Sequence, residues 1–476
     1  MKTYRFTFAI AMMVATVAVN AQSSFDAAKL YDEELNGTAR YVGMGGAMGA
    51  LGNDMSVISH NPAGIGLYHN SDINMSISFF GNSVETDPLA TLDNPVKAYN
   101  GIKYASHNNK SDVLPAIDNI SMVFSGYDGS ENHVNFGFAY RKLLNTDFNL
   151  DYFDDQPEPD DNGKTAQRDF QDRQRNKINS FDFNISCGLS DVLYLGWTVG
   201  LLTTDTWSEG YFFDYYPEDP STNTPEEKIV AVEKMNTATG AGFNMAFGAV
   251  FRPIPALRIG VAAKSPTWFR QDLQYADFLK ALPGKTFDGE KATAGVKYRY
   301  TSPWSIDLSA GFTVLKTALG FEYERHFAGR SSLSIDNVQM LNQGAVDYKD
   351  YSLMRFGIEQ NIGKVSLRAG YTTSGSMFKD GAVPYLNDSE YNQMRQSTDC
   401  QVIRPVERQN FSLGLGYCSE PDNDNTQFYF DMAFVHGIKK NEFNINEYYI
   451  ESKYADPTVN YNVITNKLLV TVGWNF

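Results

Sequence analysis

The sequence predicts an all-β fold: a 14-stranded antiparallel transmembrane β-barrel with a small N-terminal hatch of helix and loop inside its lumen. Three observations predict it. Residues 36–66 hold eight glycines, five of them between Gly43 and Gly52. Ordering so many glycines costs backbone entropy, which is tolerable only where backbone packs closely against walls. Almost everything after Asn70 alternates apolar with small polar residues at period two. Short and long connections also alternate along the chain, as turns and outer loops do in such barrels.

The chain opens with Lys2 and Arg5, runs apolar from Phe6 to Val19, and offers Val19-Asn20-Ala21 for cleavage. That is the pattern of a secretory signal peptide over 1–21. Removing its two cations from a formal net charge of −16 leaves −18 for the mature chain, which argues against nucleic acid as a partner. No later stretch reaches the ~18 apolar residues of a transmembrane helix. Mean hydropathy is −0.35, a value that a barrel also gives because polar lumen positions offset apolar lipid-facing ones. The aromatic content of 14% fits girdles at membrane interfaces.

Residues 22–70 read as the hatch. FDAAKLYDEEL at 25–35 predicts a short helix, and 54–60 a further helical turn ended by Pro62. The barrel follows over 71–476. Its strands centre on 73–79, 120–124, 134–140, 181–189, 195–201, 243–251 and 257–263, then on a long stretch at 293–312 broken by Ser302-Pro303. Later strands centre on 319–323, 354–358, 365–371, 411–417, 428–434 and 468–476. Six short connections and seven long ones join 14 strands if 293–312 is one kinked strand, Pro being tolerated at a bend. The long connections are 81–117, 142–179, 203–240, 264–292, 327–349, 373–409 and 436–461.

GMGGAMG from Gly43 invites a nucleotide-loop reading, but Met48 stands where G-x-G-x-x-G needs its third glycine, and no buried parallel strand precedes it. GMGGA, then Asp54, then NPAG at Asn61 to Gly64, instead resembles the hatch of the FadL and TodX family. Those are outer-membrane channels for long-chain fatty acids and other hydrophobic compounds. IGVAAKSP at 259–266, SPWSIDLSAGF at 302–312, FSLGLGY at 411–417 and the C-terminal Phe476 extend the likeness. The resemblance implies a hatch moving around Gly43, Gly45, Gly46, Gly49, Asn61, Pro62 and Ala63, and a path that leads sideways through the wall. It also implies a C-terminal strand read by the barrel assembly machinery.

Candidate ligand residues lie in two long connections. WSEGYFFDYY at 207–216 carries Trp207, Phe212 and Phe213, and PTWFRQDLQYADFLKALP at 266–283 carries Trp268, Phe269, Tyr275, Phe278 and Leu279. The second reads as an amphipathic helix between Pro266 and Pro283-Gly284. Together they suggest a greasy groove for fatty acids or aromatic hydrocarbons, which the family resemblance makes the intake groove. An aromatic girdle with loops packed on themselves is the plainer account. The acidic run at 151–175 is a solvated surface or a Ca²⁺ bridge to outer-membrane lipid. Haemin binding, proposed for similar proteins, would fall to His60 and His69. Cys187, Cys400 and Cys418 form no disulfide framework. No metal-ligand spacing and no nucleophile–base pair is legible, so the reading contains no enzyme, metal or cofactor. The expected function is passive uptake of hydrophobic molecules through an outer membrane. The alternatives are a non-transporting scaffold of a secretion or assembly machine, and a haemin receptor.

Overall fold

The computed structural model describes residues 27–32, 34–86, 113–127, 129, 132–154, 167–216, 227–282, 285–335, 348–379, 402–422, 426–444 and 458–476. The signal-peptide reading over 1–21, residues 155–166 of the acidic run, and Cys400 lie outside these residues.

Alternation builds the wall. β1 (Asp72–Thr86), β2 (Leu114–Ser125), β3 (Asn132–Asp154), β4 (Gln167–Leu189), β5 (Leu193–Tyr216) and β6 (Glu227–Ile254) pair in sequence order, all antiparallel. Next come β7 (Leu257–Lys264), β8 (Trp268–Leu282), β9 (Lys285–Thr301), β10 (Ser305–Val314), β11 (Thr317–His326) and β12 (Ser332–Ile335). β13 (Tyr351–Ile362), β14 (Val365–Ser374), β15 (Val402–Cys418), β16 (Gln427–Asn444) and β17 (Thr458–Asn475) complete the sheet. β17 pairs back onto β1, and Ser71 and Phe476 exchange two backbone hydrogen bonds of 2.9 Å at the seam. Three wall positions each hold two strands end to end (β7 with β8, β10 with β9, β11 with β12), so seventeen strands make fourteen positions around a closed barrel.

The outward face is apolar: Phe136, Phe138, Phe181 and Phe183 are 43–48% exposed, while Asn135, Asp182 and Asn184 between them point inward and are buried. A barrel in lipid requires this arrangement. The kink expected in 293–312 is present, since β9 and β10 are separated at Ser302–Trp304. The stretch 266–283 is not a helix; it is strand β8, paired with β6 and β9 over most of its length. Its apolar residues sit at helical spacing, but two neighbouring ladders override that local pattern. Three of the connections taken as long loops, 142–179, 203–240 and 264–292, are strand over most of their length, so the wall stands taller there than the sequence suggested.

The three breaks lie side by side, at 265–267, 302–304 and 327–331. Pro266 and Pro303 have no N–H for a ladder, and at each break the inward set slips by one residue. Inward positions are even in β7 (Gly260, Ala262, Lys264) and odd in β8 (Phe269, Gln271, Leu273). The seam is stitched. The Ser302 N–H donates to the Thr267 carbonyl at 3.1 Å, Thr267 N–H to Ser302 Oγ at 2.8 Å, and Phe327 N–H to the Trp304 carbonyl at 3.0 Å.

Inside the barrel runs the N-terminal segment. Where 25–35 predicts a helix, Ala27 and Ala28 are α-helical and Lys29–Tyr31 continue as a 3-10 turn among the described residues. Helix α1 (Ala39–Gly43) is capped by Thr38, whose side chain accepts from the Tyr41 N–H. The 3-10 turn Met55–Ser59 is capped by Asp54, and Pro62 starts the following turn, Pro62–Leu67, rather than ending the one before. Side chains of many wall strands hold the segment by its backbone. Thr372 and Thr198 donate to the carbonyls of Gly45 and Ile58, Asn135 to those of Ile65 and Tyr68, and Thr471 and Glu322 accept from the N–H groups of Ala39 and Gly49.

Gly45 has φ +60°, and a Cβ there would lie 2.7 Å from the Tyr371 backbone nitrogen. Gly45→Val therefore meets both a left-handed backbone and a wall contact, at a cost of roughly 2–4 kcal/mol. The wall closes through its own ladder. The variant should keep heat-modifiable migration on gels while amides of residues 39–67 exchange faster. Loss of the folded gel band would contradict this separation of wall from segment.

Candidate functional site

Above residues 37–67 the lumen opens into a cavity of about 240 Å³. Its floor includes Tyr41 and His60 of the N-terminal segment, and its sides include Glu324, Arg355, Arg408 and Lys439. The first described residues reach into it. Leu30 and Tyr31 are buried in an apolar cluster with Leu144, Ile178, Phe269, Leu273, Tyr298 and Phe378. Tyr31 also pairs its hydroxyl with His326 Nδ1 at 2.9 Å.

The next residue changes character. Asp32 accepts from the Arg408 guanidinium and the Lys439 ammonium. Burial alone would raise its carboxyl, but Arg408 and then Lys439 overcome that and hold it at about 2, against an ordinary 3.8. Beyond it, the Lys467 ammonium reaches Asn36 and forms an ion pair of 3.1 Å with Asp118. Glu34, with no such partner at bonding distance among the described residues, has its carboxyl pushed up by burial.

Below the cavity the lumen is charged and paired. Arg355 bridges Glu322 and Glu324, and Arg368 bridges Glu359 and Asp431. Arg40 of α1 adds a bond of 2.9 Å to Glu359, and Arg141 pairs with Asp182.

The residues singled out from sequence divide between these surroundings. Gly43, Gly45, Gly46 and Gly49 lie where the segment meets β11, β13, β14 and β15. Asn61, Pro62 and Ala63 lie against β5 and β6, and Asn61 Nδ2 donates to the Ala249 carbonyl at 3.4 Å. Phe269 joins the apolar cluster, whereas its neighbour Trp268 points outward, 45% exposed and stacked on Phe243. Trp207 is half-buried under the Arg175 guanidinium, 5.7 Å from its ring centroid. Phe212 of β5 and Leu279 of β8 both pair with Val232 of β6, and Tyr275 and Phe278 follow on β8. Phe213 pairs with Ala231. The strand register thus brings the two aromatic stretches to one region of the wall, but not as one face of a helix. His60 stacks on Tyr41 and His69 on Tyr127, on different parts of the segment. Cys187 and Cys418 are free thiols.

Sequence reading missed Asp32, Arg408 and Lys439. Arg408 and Lys439 lie 376 and 407 positions from Asp32, and nothing local marks them. The alternating pattern of β15 and β16 could have flagged two cations on wall strands.

No family profile matches the chain, and no curated protein matches it in sequence. Solved structures do match in fold. A FadL homologue from Pseudomonas aeruginosa aligns over 93% of this chain and 99% of its own, at 13% identity and a TM-score of 0.61. The CymD monoaromatic hydrocarbon channel aligns over 92% and 98%, at 13% and 0.54. The Pseudomonas putida toluene transporter TodX aligns over 93% and 98%, at 12% and 0.52. The chain shares the fold of these FadL- and TodX-type channels.

The Asp32 pairs have a pH signature. A depressed carboxyl lends stability that is complete above its ordinary value of 3.8 and is lost as pH falls through about 2. With a quarter of the side chain open to the cavity, the contribution is about 1–2 kcal/mol at neutral pH. Asp32→Asn should speed amide exchange of residues 30–34 about tenfold at pH 7 and leave residues 39–67 unchanged. Near pH 2 the difference should vanish. Equal protection at pH 7 would show that the pairs hold nothing.

Proposed function

We propose that this barrel passes small hydrophobic molecules through an outer membrane, taking them into the lumen cavity above a movable N-terminal hatch, and that it favours amphiphiles with an anionic head. The observation that carries the reading is the chain's own occupant of that cavity. Leu30 and Tyr31 lie in an apolar cluster while Asp32 places a carboxylate on Arg408 and Lys439. An apolar body with a terminal carboxylate is the chemistry of a fatty acid. The fold shared with hydrocarbon channels supports the transport reading.

Volume separates two ligand sizes. About 240 Å³ exceeds the ~150 Å³ that takes a benzene ring and falls below the ~300–1,000 Å³ usual for drug-sized ligands. A one-ring hydrocarbon fits with the segment in place. A long-chain acid requires Ala28–Tyr31 to withdraw, its carboxylate replacing Asp32 on Arg408 and Lys439.

Purified protein in detergent should bind oleate at least tenfold more tightly than oleyl alcohol. Arg408→Gln with Lys439→Gln should abolish that preference and leave toluene binding unchanged, and Asp32→Asn should strengthen oleate binding. Equal affinity of the unmodified protein for acid and alcohol would sink the headgroup reading. Failure of liposomes containing the protein to admit either oleate or toluene would sink transport as well.

A further inference from the structure

At the seam between the N-terminal segment and the wall, a histidine meets a group of buried carboxylates. His60 closes the turn Met55–Ser59, and Glu322 and Glu324 stand two apart on β11. One ligand atom from each lies within 4.8 Å of the others. Asp307 on β10 faces Glu324 directly across the ladder. It is 4% exposed, and neither carboxylate oxygen accepts a hydrogen bond among the described residues.

The other oxygens are only half used. Glu322 accepts from Arg355 and from the Gly49 N–H at 3.0 Å, and Glu324 accepts from Arg355 and from Ser305 Oγ at 2.8 Å. Each carboxylate offers about four lone-pair sites. Arg355, His326 Nε2 at 3.5 Å from Glu324 Oε1, and, across the ladder from Ser305, Lys264 face the three carboxylates, and none of them supplies a hydrogen bond to Asp307. A buried carboxylate left short of hydrogen bonds is unfavourable until a proton or a cation meets it.

The geometry points to a divalent transition-metal site, with His60, Glu322 and Glu324 as ligands and the Asp307 carboxylate beside them. An imidazole nitrogen among carboxylate oxygens suits Zn²⁺ or Mn²⁺ better than Ca²⁺ or Mg²⁺. Ligand atoms around a tetrahedral Zn²⁺ with bonds of about 2.1 Å sit about 3.4 Å apart. The three ligand atoms lie within 4.8 Å of one another, so reaching that spacing takes side-chain movement of at most about 1.4 Å. His60 and Glu324 line the cavity, so an ion has a way in. The histidine belongs to the segment and the carboxylates to the wall. The ion therefore ties one to the other, beside the bond from Gly49 to Glu322.

Titration calorimetry on the chelator-stripped full chain in detergent tests this with Zn²⁺ alone. One ion per chain should bind, and Ca²⁺ at least a hundredfold more weakly. His60→Ala and the isosteric Asp307→Asn should each weaken Zn²⁺ by at least tenfold while retaining the folded gel band. Zn²⁺ should slow amide exchange over residues 49–64 in the unmodified protein and not in His60→Ala. Binding equal in the unmodified chain and both variants would mean an adventitious ion only and overturn the site. Absence of binding, with Asp307→Asn simply more stable than the parent, would mean that a proton neutralises the cluster, which overturns it equally.

Discussion

Backbone lies against backbone where Gly43, Met44, Gly45 and Ala47 meet the wall, and the rest of the structure depends on that approach. Gly311, Gly320, Gly357 and Gly370 pair in one row across β10, β11, β13 and β14. Leu51, Ala47, Met44 and Gly45 lie on that row. Any Cβ in the row would enter space already held by the segment. The glycine content at 43–52 is therefore half of a pair, and the other half is spread across four strands far along the chain. With side chains absent, the polar groups of the segment are met from the wall by hydroxyls, amides and one carboxylate. A buried backbone requires such partners.

The same closeness leaves charges inside. Arg355, Arg368 and Arg141 are buried and each is held by carboxylates. Such pairs add little net stability, because desolvation offsets attraction, yet breaking one costs about 3–5 kcal/mol. They therefore fix position more than they stabilise. A hydrophobic solute moving straight down the axis would have to part them with nothing to offer in return. The apolar cluster around Phe269, Tyr298 and Phe378 ends above them.

How far the sequence was legible follows from which contacts are local. The wall was readable because outward Phe and Leu alternate with inward Gly, Ser and Asn over short windows. The kink at Pro303 was readable because a missing N–H is a property of one residue. Strand β8 was misread for a definable reason: Trp268, Tyr275, Phe278 and Leu279 have helical spacing, and only pairing with β6 and β9 decides otherwise. Asp54 was noticed as part of a motif, and its work turned out to be capping, with Thr38 as donor at 2.7 Å. The pairing of Asp32 with Arg408 and the grouping of His60 with Glu322 and Glu324 were invisible. Each joins positions separated by most of the barrel, and no periodicity carries that information.

The three breaks divide the barrel into two interiors with different requirements. On the turn side, β7, β10 and β11 present Gly260, Gly311 and Gly320 to a backbone they must nearly touch. Beyond the breaks, β8, β9 and β12 present Phe269, Leu273, Tyr298, Tyr300 and Leu333 to the buried apolar cluster that holds Ala27, Ala28, Leu30 and Tyr31. A strand of strict alternation would carry one inward set from end to end. The slip of one residue at each break changes which set faces in. Small residues can then face the glycine-rich stretch and large apolar ones the cluster around Leu30 and Tyr31, while the outward face stays apolar. Pro266 and Pro303 are therefore not interruptions tolerated by the wall. They mark the level at which its lining changes from small residues that let backbone approach to large apolar ones that pack on side chains.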